Sequence, residues 1–286
     1  MSDAELTFTG ERLHPGDALF GVDLLRHRAA YQEAIRIALA SGAHDILEMG
    51  SGTGYGSREL AAALPSLVAV DRVAPLATEP GVGPGVGPGA GATAIPTAGP
   101  APGSSHTARF LRADLGSMPL SNAAFDLIVS FQVIEHLIDP ANYLDALARL
   151  LRSDGVALVT TPNRANSDGE NPFHVHEYEA EELRSLLATR FESVEMLGLF
   201  ARGEAHRYHE ERLRRIRRIV RIDPLGFRKR IPRPLVEWIF ARLARVIRRG
   251  IAAGDGTPGV RIEDFPIEPI RPDCLDLFAV CRRPRR

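Results

Sequence analysis

A mainly parallel α/β sheet covered by helices on both faces is the fold class this sequence predicts, and three observations carry the prediction. Strand-like and helix-like stretches alternate from about residue 22 to residue 200. A glycine-rich turn joins the first strand to the next helix, where such sheets bind ligands. One more apolar strand returns near the C-terminus after a long basic excursion.

The elements follow in order. Residues 22–42, VDLLRHRAAYQEAIRIALASG, read as a helix with apolar positions three to four apart and Gly42 beyond its end. DILEMG (45–50) is a short buried strand, and GSRELAAALP (56–65) a helix stopped at Pro65. LVAVD, ARFLRAD and FDLIVSF give the second, third and fourth strands, the last a continuous apolar run over 125–131. In DPANYLDALARLLRSDG (139–155), Asp139 can cap a helix, Pro140 suits its first turn, and Gly155 is read as following its end. VALVTTPN is the fifth strand, EAEELRSLLATR a helix, FESVEMLGL the sixth strand, and CLDLFAVCRRP (274–284) the seventh.

Two segments interrupt this alternation. Residues 79–108 hold eight Gly and six Pro in thirty, a composition that cannot bury a core; a flexible insertion inside the sheet domain is expected, favoured over elastin-like assembly from the near-repeat GVGPGVGPG. Residues 205–250 carry 15 Arg and Lys against 4 Asp and Glu, a net of +11, leaving −12 for the remainder of a chain whose overall charge is −1. Within it, Leu235, Val236, Ile239, Phe240, Leu243, Val246, Ile247 and Ile251 fall on one side of a helical wheel, with Arg242, Arg245, Arg248 and Arg249 on the other. Such a helix packs on its own domain, on a second subunit, or on an anionic membrane surface. Aromatic residues are too sparse there for a base-stacking platform, so no nucleic-acid partner is expected. The domain division expected is 1–200 plus 261–286 for the sheet domain, and 201–260 for a basic helical insertion.

The polar N-terminus lacks an apolar signal core and no run approaches a membrane span, which makes a cytoplasmic address the expectation, with peripheral contact at the inner face of the membrane as its extension. Cys274 and Cys281, seven apart on one strand, would face opposite sides and could not pair.

The turn at 50–56 excludes some ligands. G-x-G-x-x-G started at Gly50 fails at Tyr55, and started at Gly52 it fails at Ser57; the P-loop pattern fails too, and the chain's only lysine is Lys229. A Tyr-x-x-x-Lys pair is also missing, since Leu225 stands four before Lys229, so a nicotinamide oxidoreductase is disfavoured. What remains is an acid followed by alternating glycines: Glu48, Gly50, Gly52 and Gly54.

LEMGSGTGYGS resembles the first motif of class I S-adenosylmethionine-dependent methyltransferases, most like their type 11 group. Such a cofactor has no phosphates but carries an amino-acid tail, whose ammonium a nearby carboxylate helps satisfy while glycines let the backbone come close. Three further stretches match in order. Asp71 closes the second strand, where the family has an acid that accepts both ribose hydroxyls. RADLGSMPLSNAAFDLIVSFQVIEHLIDP is similar to the paired third and fourth motifs, which places Asp114 beside the adenine with the amide of Leu115 facing the ring, and Phe131 and Gln132 on the methyl-donor side. LLRSDGVALVTTPN resembles the helix, turn and fifth strand. Ser51 and Tyr55 complete the cofactor residues this resemblance implies. It covers about residues 10–200 plus the last strand, and implies a Rossmann-like, seven-stranded sheet of order 3-2-1-4-5-7-6 with an antiparallel last strand and a helical insertion before it. FTGERLHPG and LLRHRAAY are similar to type 11 members of glycan biosynthesis; Arg28 and Tyr31 there either reach the cofactor's tail or pack on the sheet.

Methyl transfer to a hydroxyl needs a group to take its proton. FQVIEHLIDP offers Glu135 and His136, and NPFHVHEYEAEEL offers His174, His176 and Glu177, all after strands whose carboxyl ends bind substrate in this fold. His136 or His176 as general base is the simpler mechanism. The other is a divalent cation on Glu135, His136 and His174. The ubiquinone-pathway and small-RNA methyltransferases carry E-x-x-E-H here, whereas this chain has glutamine at 132 in place of the first acid. An E-H pair also occurs in metal-independent members. His174 and His176, at strand spacing, would face the same way. The expected activity is O-methylation of a small hydroxylated acceptor, with a sugar, glycoside or lipid-linked glycan preferred. N-methylation and a quinone or polyketide acceptor are the alternatives, and a non-catalytic module holding the cofactor is the rival of another class.

Overall fold

The computed structural model describes Leu13 and residues 20–73, 93–96, 107–167, 171–220 and 259–286. Nine strands form one sheet in the order β3-β4-β2-β1-β5-β6-β9-β7-β8. Its centre is β1 (Asp45–Met49), flanked in parallel by β2 (Ser66–Asp71) and β5 (Phe125–Phe131). Outward, β4 (Thr107–Arg112) pairs parallel with β2, and β6 (Leu151–Pro162) with β5. The last strand, β9 (Asp276–Pro284), runs antiparallel between β6 and β7 (Phe191–Leu199). These seven strands have the expected 3-2-1-4-5-7-6 order.

Two short edge strands were not expected. β3 (Thr93–Pro96) pairs antiparallel with β4, and β8 (Ile267–Pro269) antiparallel with β7. Each ends in proline, which an edge strand tolerates because its outer side needs no ladder donor. Thr93–Pro96 lies inside the Gly- and Pro-rich insertion 79–108, and edge pairing there needs backbone hydrogen bonds, not a core. Residues 79–92 and 97–106 lie outside the described residues.

Helices cover both faces. On one side α1 (Gly21–Ser41) and α2 (Tyr55–Ala63) bury Ala30, Ala34, Ala38 and Leu60 against Ile46, Leu67 and Leu127. The small residues of α1 let the helix approach the sheet closely, and Gly42 ends it in a left-handed cap at φ 68°. On the other side α3 (Ala141–Leu150) and α4 (Ala180–Ala188) bury Tyr143, Leu144, Leu147, Leu183 and Leu187.

Asp139 accepts the Ala141 amide at 2.9 Å just ahead of α3, but the N-cap is Pro140, so the helix starts one residue later than expected and has no side-chain cap. The helix stops at Leu150, not at Gly155, and β6 starts at once. Gly155 is instead a strand residue beside a register shift, where a Cβ would stand 2.9 Å from the Asp126 carbonyl oxygen. Cys274 precedes β9, so alternation along that strand does not govern it. Cys274 and Cys281 are free and buried in the same hydrophobic cluster, not on opposite sides as expected.

α5 (Gly203–Val220) opens the basic stretch and packs Ala205 and Leu213 inward. The chain then rejoins the sheet through β8, which was not expected, and β9, which was. The amphipathic stretch 235–251 lies outside the described residues. Among the described residues, no helix is long and apolar enough to cross a membrane.

Candidate cofactor and acceptor site

The turn after β1 is built from backbone geometry. Gly50, Gly52 and Gly54 have φ of 87°, 55° and 80°, the region where a side chain is costly. The amides of Gly50 and Ser51 both donate to the Val70 carbonyl, at 2.7 and 3.1 Å, turning the chain across the end of β2. The glycines differ in purpose. A Cβ at Gly50 would lie 2.4 Å from Val133 Cγ2, and one at Gly56 would lie 2.0 Å from Tyr31 Cζ, so packing demands both. A Cβ at Gly52 would meet nothing within 4 Å. That open side is where a ligand can approach the backbone. Gly54 caps α2, and the Thr53 hydroxyl donates to the Leu13 carbonyl at 2.7 Å.

Two carboxylates stand at this turn. Asp71 takes the Gly52 amide on Oδ2 at 2.8 Å and the Val73 amide on Oδ1 at 2.9 Å, which locks the end of β2 to the turn. Glu48 is 1% exposed. Its Oε1 accepts the Tyr31 hydroxyl at 2.7 Å and its Oε2 accepts the Ser57 hydroxyl. Burial pushes the Glu48 carboxyl up to about 7, although both hydroxyls act to lower it. Beside it, the Tyr55 hydroxyl bonds His27 Nδ1 at 2.8 Å. Arg28 pairs with Glu59, and Tyr31 bonds Glu48.

The strand ends beyond the turn carry the remaining expected residues. Asp114 is exposed and accepts the Gly116 amide at 2.9 Å, while Leu115 is buried. Phe131, at the end of β5, meets Tyr31 edge-on at 5.0 Å and lies 5.9 Å from the Phe278 ring. Gln132 adopts φ 56°, strained for a residue with a side chain. Its backbone amide donates to the Thr160 carbonyl at 3.0 Å, and its side-chain amide donates to the Thr160 hydroxyl at 3.4 Å.

Asp276 was missed by the sequence reading. It opens β9, is 2% exposed, and pairs with Arg26 of α1 at 3.4 Å; its Oδ1 has no hydrogen-bond partner. Burial raises its carboxyl, against the pull of Arg26. Nearby, Asp23 faces Arg212 of α5 at 3.8 Å, and burial with Arg212 and Arg26 lowers the His209 imidazole to about 3. The available signal was a lone acid inside the otherwise apolar CLDLFAV.

A second cluster follows β5 and β6 on the other face. Glu135 and His136 lie in the 3₁₀ turn Ile134–His136. The Glu135 carbonyl accepts the amides of Val175 and His176, docking the loop after β6 onto that turn. Glu135 is fully buried, and its Oε2 accepts the Thr161 hydroxyl at 3.0 Å. His136 Nδ1 donates to the Phe173 carbonyl at 3.0 Å, which makes Nε2 the basic nitrogen of the neutral ring. His174 Nδ1 faces Glu177 Oε1 at 2.6 Å, and its Nε2 faces the Asn171 side-chain amide at 2.7 Å. Asn171 Oδ1 is occupied by the Phe173 amide, so its nitrogen is the donor to Nε2. Glu135, His136 and His174 each offer a ligand atom within 4.8 Å of the others, bringing together the three residues expected for a cation.

His176 behaves differently. Residues 171–177 form turns, not a strand, so the period of two does not apply and His174 and His176 do not share a direction. The half-exposed His176 ring bonds Glu182 of α4 at 2.7 Å and lies 4.6 Å from the Tyr178 ring, apart from the cation cluster.

The turn fits S-adenosylmethionine. Its open side at Gly52, the acid at the end of β2 and a buried carboxylate suit a nucleoside with a cationic tail and no phosphates. Comparison with known proteins agrees. Residues 24–217 match the family model of a methyltransferase domain. The chain is 37% identical over 205 residues to a Mycobacterium tuberculosis protein named "Probable S-adenosylmethionine-dependent methyltransferase", a match covering 70% of this chain and 66% of the relative's length. A similarly named Mycolicibacterium smegmatis protein is 36% identical over 206 residues, covering 68% of this chain and 69% of that protein. A 59-residue stretch is 36% identical to the ubiquinone biosynthesis O-methyltransferase of a Ruegeria species, covering 21% of this chain and 22% of that enzyme. Among solved structures, a Thermotoga maritima S-adenosylmethionine-dependent methyltransferase aligns over 91% of each chain with a TM-score of 0.47 at 12% identity. The chain belongs to the class I S-adenosylmethionine-dependent methyltransferase family.

Proposed function

We propose that this protein transfers a methyl group to an oxygen of a small hydroxylated acceptor, a sugar or glycoside being the preferred class. When bound, S-adenosylmethionine supplies a methyl group activated on its sulfonium sulfur. Gly50, Ser51, Gly52, Gly54 and Tyr55 shape the turn that holds it; Glu48 faces its tail, Asp71 its ribose, and Asp114 and Leu115 its adenine. Phe131 and Gln132 close the methyl side. The observation that carries the oxygen acceptor is the His136 ring, pinned through Nδ1 by the Phe173 carbonyl so that Nε2 is the basic nitrogen. The oxygen acceptor named in the Ruegeria relative's description supports this reading. Incubation with labelled methyl donor and a panel of glycosides, phenols and amines tests it. Label in a hydroxylated product supports the reading; label only in amines replaces it with N-methylation, and tight cofactor binding without any transfer favours a non-catalytic module.

A second reading is favoured by the grouping of Glu135, His136 and His174. A cation there would lower the pKa of an acceptor hydroxyl directly, in place of a histidine base. Glu177 behind His174 and the Phe173 carbonyl behind His136 are the outer partners that orient ligating imidazoles. One carboxylate and two imidazoles suit zinc, manganese or iron better than magnesium or calcium. Binding requires the Asn171 amide to turn away from His174 Nε2. The basic stretch 205–251 is proposed as a contact for a second subunit or an anionic membrane surface.

A further inference from the structure

We infer that Tyr31, on α1, is a positioning residue of the cofactor site: with Ser57 it aims the Glu48 carboxylate at the amino-acid tail of the cofactor. The inference rests on the reading that the glycine turn holds S-adenosylmethionine.

Three observations converge on it. First, Tyr31 and Ser57 each give a hydroxyl to a different Glu48 oxygen, so the plane of the carboxylate cannot rotate without losing both bonds. An ionised carboxylate has about four lone-pair sites, so about two stay available for further donors. Second, Glu48 is buried, and the partners of its two oxygens are neutral hydroxyls. A buried carboxylate without a counter-charge is costly unless a ligand supplies one, and the tail ammonium is a cation of the right kind. Third, the Tyr31 ring is seated by several elements. It is 4% exposed, fills the space that a Cβ at Gly56 would need, and meets Tyr55 and Phe131 edge-on at 5.7 and 5.0 Å. The fourth glycine of the turn therefore serves α1, and one ring ties that helix to the turn, the acid and the end of β5.

Titration calorimetry of the full-length protein with two ligands tests this. S-adenosylhomocysteine carries the amino-acid tail; 5′-methylthioadenosine keeps the nucleoside and lacks that tail. Tyr31→Phe retains the ring and removes the hydroxyl. It is expected to weaken S-adenosylhomocysteine binding about tenfold, the worth of one hydrogen bond to a charged group, and to leave methylthioadenosine within about twofold. Ser57→Ala is expected to show the same selective loss, and it carries the test if thermal unfolding shows that Tyr31→Phe is not folded. Equal losses for both ligands, or unchanged S-adenosylhomocysteine affinity, overturn the inference alone. Wild-type protein that binds neither ligand overturns the cofactor reading itself, and the inference with it.

Discussion

The amide of Gly52 donates to Oδ2 of Asp71 across 2.8 Å, so the turn after β1 and the acid that ends β2 form one unit. Removing the acid removes an anchor of the turn as well as the proposed ribose acceptor. Asp71→Ala should weaken S-adenosylhomocysteine binding by roughly ten- to a hundredfold, the loss of one or two charge-assisted hydrogen bonds. Calorimetric titration checks it, and an affinity equal to wild type would detach Asp71 from the nucleoside.

Two glycines of the same turn should fail in opposite ways when replaced by alanine. At Gly56 the new methyl meets the Tyr31 ring, and overpacking of this kind costs about 1–3 kcal/mol or more. At Gly52 the methyl meets nothing, and the cost to the fold is about 1 kcal/mol of left-handed backbone strain. Gly56→Ala should therefore lower Tm the more, while Gly52→Ala should stay folded and lose cofactor affinity as its methyl occupies the open side. Thermal unfolding paired with titration separates the two.

Glu48 gives the fold a pH dependence of definite sign. Its folded-state value, about 7, lies above the ordinary 4.5, so the folded protein holds this proton more tightly than the unfolded chain. The stabilisation is fully present below about pH 4.5 and is lost as pH rises through 7. Glu48→Gln keeps the shape and cannot ionise. The Tm of the variant minus that of wild type should accordingly grow between pH 5.5 and pH 8.5. A difference that stays flat over this window would mean that Glu48 is ionised throughout.

The histidine base and the cation make different demands on His136. As a base, His136→Ala should lower kcat by about a hundredfold or more and leave S-adenosylhomocysteine affinity unchanged. Chelator treatment of wild type should then have no effect. If a cation is used, chelation should abolish turnover and added zinc or manganese should restore it, while Glu135→Gln and His174→Ala should fail alike. Turnover assays before and after chelation, with elemental analysis of the protein, decide between them.

The sheet order was legible because each central strand is an apolar run bounded by helix signals, and the acid-glycine pattern is local in sequence. β3 and β8 were not, since three or four residues paired at an edge leave no hydrophobic periodicity. The end of α3 was misplaced for a related reason: Leu150 and Leu151 are both buried, so the change from helix to strand leaves no polar break between them. Among the site residues, Glu135, His136 and His174 could be grouped from their places after β5 and β6. Asp276 could not: it is 250 positions from its partner Arg26 in sequence, and only the antiparallel insertion of β9 brings it to the ends of those strands.

That distant residue also supports a test of why a buried charge pair is kept. Arg26 and Asp276 are 17% and 2% exposed, and desolvating both is expensive. Removing one partner leaves the other uncompensated, so Arg26→Ala should destabilise the fold by about 3–5 kcal/mol. Replacing both with apolar residues of similar volume, Arg26→Met with Asp276→Leu, should recover most of that loss, because no charge is left stranded. Denaturant unfolding measures both. If the double variant regains stability and keeps S-adenosylhomocysteine affinity but loses methyl transfer, the pair serves the acceptor side of the site and not the fold. If it regains stability and transfers methyl groups at the wild-type rate, the pair has no part in the reaction.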